Sequence, residues 1–282
     1  MQFEFPGTLD VPDGRYLIRS EAGQRVLVVE AIGAPPPPRR RRRRPKESEQ
    51  GDEPAALPLS RVTAVRAEEP FDSTKEADSW LDRTIAAEDE IDAAVADGLR
   101  LLNRALHAHA TASADPLWAE LRAENAAAVR IGIGSGKEVA SGRFTTAHVV
   151  DARAAGGSRR QRQDEDLRPQ ERLAAVLGGR EQLDACETLI LRARADLDAD
   201  RRREAALQLR VALEAMLVEL DGALTDPDHA RDMGELQERR SQAGDAANAA
   251  LRSDLPVDDE RHVTELVEIC ERVLRRRRVL RG

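Results

Sequence analysis

VRIGIGSGKEVASG, Val129 to Gly142, decides how the first half of this chain is read. It carries four glycines and the pair Gly136-Lys137, the look of a loop built for phosphate. With a helix after it, the stretch would open a nucleotide-binding unit; with a strand after it, it is a hairpin connection. A P-loop requires G-x-x-x-x-G-K-[ST], because backbone amides cradle the phosphates and the hydroxyl holds Mg²⁺. Counting back five positions from Gly136 gives Ile131, and Glu138 stands where Ser or Thr must be, setting a carboxylate against the phosphate. A dinucleotide G-x-G-x-x-G fails as well, since from Gly132 its last position is Lys137 and from Gly134 it is Val139. A nucleophile elbow around Ser135 has Ile133 at its first glycine position. The sequence that follows, GRFTTAHVV, reads as a strand. The stretch is therefore expected to be a turn between two strands, its glycines supplying positive φ or close backbone approach, with Lys137 at the exposed tip.

Working outward, RYLIRS (15–20) and RVLVVEAI (25–32) are β-rich runs with Gly23 between them, a second hairpin. Residues 34–58, APPPPRRRRRRPKESEQGDEPAALP, lack apolar anchors and are expected to be a disordered loop. LSRVTAVRA (59–67) reads as a third strand. Ser73-Thr74-Lys75-Glu76 fits a capping box, and Leu81, Ile85, Val95, Leu99, Leu102 and Leu106 continue at helical spacing to about His109. Asp115-Pro116 reads as the start of a shorter helix through Trp118 and Leu121. These elements predict an α+β fold: a small mixed β/α domain over 1–151, a polar linker over 152–168, and a helical domain over 169–282.

The second half contains no aromatic residue, whereas all seven of the chain lie before residue 150. Its core must be built from Leu, Val, Ile and Ala. Pro169 starts a helix that ends at Gly178-Gly179. Leu183, Cys186, Ile190, Ala193 and Leu197 make the next, and Ala206, Leu209, Leu213, Met216 and Leu220 a third. Asp226-Pro227 opens a helix through Met233, Leu236 and Leu251. The last follows Pro256 and carries Val263, Leu266, Val267, Cys270, Val273 and Leu274. Five helices with short turns predict an all-α antiparallel bundle or α-hairpin array. Within it, ARADLDADRRREAALQLRVALEAML resembles one tetratricopeptide-type helical pair, with Glu204-Ala205 at the turn and Leu209 and Ala212 in the second helix. The tryptophan, glycine and tyrosine of that motif's first helix are absent and no second copy follows, so it is read as a generic helical hairpin.

Charge narrows the function classes. A formal charge of −8 speaks against a whole-surface binder of nucleic acid or membrane. Arginine, far in excess of the three lysines, together with abundant alanine resembles the coding bias of a GC-rich bacterium. MQFEFPGTLDVPDG has neither the basic nor the apolar region of a secretion signal, so a cytoplasmic setting is expected, with Cys186 and Cys270 as buried thiols. Two basic runs stand out. Arg39, Arg40, Arg41, Arg42, Arg43 and Arg44 follow four prolines and precede Glu47, Glu49, Asp52 and Glu53, which can neutralise them. Arg275, Arg276, Arg277 and Arg278 fall in the last turns of a helix, where they complement its dipole. His107 and His109, two apart, cannot share a metal on one helix face, and neither cysteine has a CxxC partner.

No catalytic constellation, metal site or cofactor site is expected. The expected function is a non-enzymatic interaction, scaffold or oligomerisation protein acting through the helical domain, with a protein partner or a second copy of itself and no membrane. The alternative is nucleic-acid association through Arg39–Arg44 and Arg275–Arg278. A second alternative is an enzyme holding a phosphorylated ligand at Gly132–Gly142, with Lys137 as its loop contact.

Overall fold

The computed structural model describes residues 1–20, 23–33, 58–66, 70–151 and 170–281. Residues 34–57 of the expected loop, with Arg39–Arg44, and the expected linker 152–168 lie outside them. The fold is α+β, and the chain divides into two compact units, Met1–Gln161 and Arg162–Gly282.

Among the described residues the first unit has six strands: β1 (Gln2–Pro6), β2 (Gly14–Ser20), β3 (Gly23–Ile32), β4 (Leu59–Arg66), β5 (Ala128–Ile133) and β6 (Thr146–Val150). Their order is β2-β3-β4-β1-β5-β6, and every neighbouring pair is antiparallel. The hairpin at Gly23 and the strand at 59–66 are where the sequence puts them. β1 is an addition, and a central one: Phe3 lies opposite Val62 on one side and Val129 on the other.

One face of the sheet is apolar. Phe3, Leu27, Val29, Val62, Val129 and Ile131 form one buried cluster with Leu81, Val95, Leu102 and Leu106 of two helices, α1 (Thr74–Ala86) and α2 (Glu88–Ser113). Gly98 of α2 sits so close to β1 that a Cβ there would lie 2.9 Å from the Phe3 ring.

Three expectations are corrected here. The single long helix breaks at Ala87, whose backbone is extended. Glu88, Asp89 and Glu90 start the new helix, and acidic side chains favour a helix N-terminus. Ser73 does cap α1 by accepting from the Glu76 amide at 3.2 Å, but the Glu76 carboxylate accepts from Asp72 and not from the cap residue. The expected helix at 115–121 is absent. Asp115 accepts from the Leu117 amide in a tight turn, and the Asn103 side chain bonds both the N–H and the C=O of Leu121 at 2.9 and 3.0 Å. That clamp supplies an extended segment with the partners a helix would otherwise have to provide.

The second unit holds six helices among the described residues: α4 (170–177), α5 (Ala185–Asp198), α6 (Arg202–Glu219), α7 (Pro227–Glu238), α8 (Arg240–Ala250) and α9 (Val257–Arg281). Gly179, at φ +68°, closes α4 as its position predicts. The helix expected from Pro227 to Leu251 is two helices, broken at Arg239. Arg239 reaches Glu235, Gln242 and, at 2.6 Å, Glu265 of α9. After the break α8 turns its buried Ala243, Ala246, Ala247 and Ala250 into the core, while Leu251 is exposed. Ala205, Ala206 and Ala212 are buried on α6, which packs against α8 and is tied to it by Arg203 donating to the Ala250 carbonyl at 2.7 Å.

Candidate functional site

α6 has one fully buried apolar face and a second, shorter apolar line on its outer side. Ala205, Ala206, Leu209, Ala212, Leu213 and Met216 are fully buried against α5, α8 and α9. The opposite side carries Leu207, Val211, Ala215 and Val218, spaced four, four and three residues apart, which places them on one line along the helix. Leu207 and Ala215 are half-buried and packed in part against the core, whereas Val211 is 55% and Val218 78% exposed. Val211 and Val218 thus leave apolar surface toward solvent, among the exposed charges Arg203, Glu204, Arg210 and Glu219 of the same helix.

Beside this line runs a cleft of about 390 Å³ between α6 and the α7–α8 junction, with Leu213 and Ala243 among its lining residues and charged residues on its walls. Glu214 accepts two bonds from Arg240, at 2.7 and 2.6 Å. Among the described residues Arg210, exposed one turn earlier, donates only to the neutral Asn248 side-chain carbonyl at 3.3 Å. Solvent-exposed apolar side chains bounded by opposite charges make a surface suited to another protein surface. Leu173 and Leu177 on α4 and Leu183 before α5 are exposed as well.

The C-terminal arginines divide. Arg276 donates to Asp232 of α7 at 2.5 Å and approaches Asp226 at 3.5 Å, and Arg277 pairs with Asp184 just before α5. Both tie α9 to its neighbours. Arg275 and Arg278 are exposed and meet no carboxylate among the described residues. Asp232 also accepts two bonds from Arg272, so its buried carboxylate is shared by two guanidiniums. Burial pushes this carboxyl up, but the hydrogen bonds from Arg272 and Arg276 outweigh it and hold the group below the usual carboxylate range. One turn before it, His229 is buried with neither ring nitrogen hydrogen-bonded among the described residues.

The glycine stretch connects neighbouring antiparallel strands, with a one-turn helix, α3 (Gly136–Val139), inside it and Lys137 exposed. Its glycines answer to packing. A Cβ on Gly132 would sit 2.6 Å from the Thr146 carbonyl oxygen, and one on Gly134 2.9 Å from Val139. Gly142 adopts φ +73°. The loop folds back over the polar face of the sheet, where Gln2 donates to the Gly142 carbonyl and Arg15 to Ser141. On that face Glu4 is buried between Arg61 and Arg130, at 3.0 and 2.8 Å, and these two hold its carboxyl low against the upward push of burial.

Cys186 and Cys270 are free, fully buried thiols. Burial pushes both up to about 12, with hydrogen bonding to Glu219 adding to the effect at Cys186. Among the described residues no three His, Cys, Asp or Glu side chains gather as metal ligands, and no helix is long and apolar enough to cross a membrane. Compared with known protein families, curated proteins and solved structures, the chain matches none.

The sequence expectation named arginines and Lys137 as contacts and missed the outer line of α6. Its signal was present: once Leu209, Leu213 and Met216 are assigned inward, Leu207, Val211 and Val218 are left over as a second apolar line.

Proposed function

We propose that the protein works by association and not by chemistry, as a cytoplasmic interaction or oligomerisation protein whose docking surface is the outer line of α6 and its bordering cleft. The observation that carries this reading is the exposure of Val211 and Val218 on the side of α6 away from its buried apolar face. The free, buried Cys186 and Cys270 support a reducing compartment. The test is a Val211→Lys/Val218→Lys double variant. Because both side chains face solvent, the variant should keep the wild-type circular dichroism spectrum and melting temperature. It should lose the association that light scattering and chemical cross-linking detect for the wild type. A wild-type chain that stays strictly monomeric and captures no protein would sink the proposal.

Nucleic-acid association has one supporting observation, the exposure of Arg275 and Arg278, with Arg39–Arg44 as the expected companion run. Fluorescence anisotropy with duplex DNA and RNA across a salt series decides it. Binding that persists after both runs are replaced, or absence of binding at low salt, removes this second reading.

A further inference from the structure

We infer that the surface on α6 receives a second copy of this chain, with the two α6 helices antiparallel about a two-fold axis. The inference rests on the reading of that line as a docking surface and names its occupant.

Two features of the line fit a copy of itself. The first is its order. Reversing Leu207, Val211, Ala215 and Val218 about their midpoint sets Leu207 against Val218 of the second copy and Val211 against Ala215, and the symmetry repeats both pairs. Each pair joins a larger side chain to a smaller one, which keeps the helices evenly spaced. A parallel pairing would set Leu against Leu and Ala against Ala, leaving a crowded level and an empty one. The second feature is charge. A two-fold axis across antiparallel helices brings the same flank of each copy together. On the flank beside the cleft, Arg210 and Glu214 are one turn apart, so reversal carries Arg210 to Glu214 of the second copy, twice. Glu214 is already fixed by its two bonds to Arg240, while Arg210 is exposed with a neutral partner. Antiparallel helix dipoles add a smaller contribution of the same sign. One helix pair buries less than a standard interface, so the dimer should be weak, with a Kd on the order of 10–100 μM.

Sedimentation equilibrium of the full chain across that concentration range should show monomer passing to dimer, and Val211→Lys/Val218→Lys should hold it monomeric with an unchanged melt. Arg210→Glu should weaken the dimer about fivefold or more, and Arg210→Lys should retain it. Direction is read by cross-linking. Because both native thiols are buried, a single cysteine can be placed and joined by a short bismaleimide. Ala215→Cys, near the axis, should cross-link, whereas Glu204→Cys should not, since antiparallel copies separate those residues by about 26 Å at 1.5 Å per residue. Cross-linking at both positions would make the dimer parallel and overturn the inference. A dimer indifferent to the double lysine variant would place self-association elsewhere and also overturn it. A strict monomer whose α6 face captures a different protein would overturn the second copy and leave the docking surface standing. A strict monomer that captures nothing would remove both.

Discussion

The side-chain amide of Gln2 donates to the carbonyl oxygen of Gly142 at 2.6 Å, and to the Thr63 hydroxyl at 3.0 Å. This joins the central strand of the sheet to a loop that leaves from β5 and crosses above β1 and β4 toward β2, where Arg15 holds Ser141. The loop is a cover for a buried polar face, and its glycines serve that packing.

Each glycine should therefore have a distinct tolerance. Gly136→Ala has nothing within 4 Å of the new methyl group and lies in a helical turn, so stability should hold or rise by up to about 1 kcal/mol. Gly142→Ala forces an ordinary side chain to φ +73° and should cost about 1–2 kcal/mol. Gly132→Ala drives a methyl group into the Thr146 carbonyl and the Phe144 ring, for about 2–3 kcal/mol. Urea denaturation of the three variants measures the order. A costly Gly136→Ala beside a tolerated Gly132→Ala would contradict this account of the loop.

Asp232 should make the helical unit acid-sensitive. Its folded pKa lies below the unfolded value, so the stabilisation is complete above about pH 4 and is lost as pH falls through the folded value. Asp232→Asn should destabilise at neutral pH by about 3 kcal/mol, the lower end for a buried pair because Arg272 can turn to water. The variant should show a shallower loss of stability below pH 4. Equal acid slopes in wild type and variant would refute the assignment.

His229 makes the opposite prediction. Its two ring nitrogens are buried with no partner among the described residues, so His229→Leu should raise stability by about 1 kcal/mol. Thermal melts at pH 7 decide this, and a marked loss would show that the ring has a partner after all.

The two thiols should be inert while the chain is folded. With both held up to about 12 by burial, an aromatic disulfide reagent at pH 8 should label neither cysteine in buffer and both in denaturant. Rapid labelling of one in buffer would expose a local opening at α5 or α9.

Much of this fold was readable from periodicity. β5 alternates so cleanly that Val129, Ile131 and Ile133 all point to the core. On α6 and α9 the helical spacing picked out side chains that are buried without exception. Misreadings came where tertiary contacts decide. QFEFP does alternate, but a five-residue run becomes a central strand only through partners far along the chain. Helix ends at Ala87 and Arg239 leave little trace in apolar spacing, since the pattern resumes on the far side. Segment 115–121 is shaped by Asn103 from another element. For Arg276 and Arg277, the sequence shows a basic run but not that carboxylates from α7 and the α5 entry meet two of the four.

β1 also has a consequence for synthesis. Its two neighbours, reached at Thr63 and Arg130, lie 61 and 128 positions downstream of Gln2. At a translation rate of roughly 5–20 residues per second, the nascent strand waits several seconds for its first partner and longer for its second. During that interval Phe3 and Phe5 have no core to enter, and β1, the earliest of the six strands, gains its second neighbour only once β5 has been made. Such long-range closure is slow, and it makes this short segment the part of the nascent chain most in need of protection before β5 arrives.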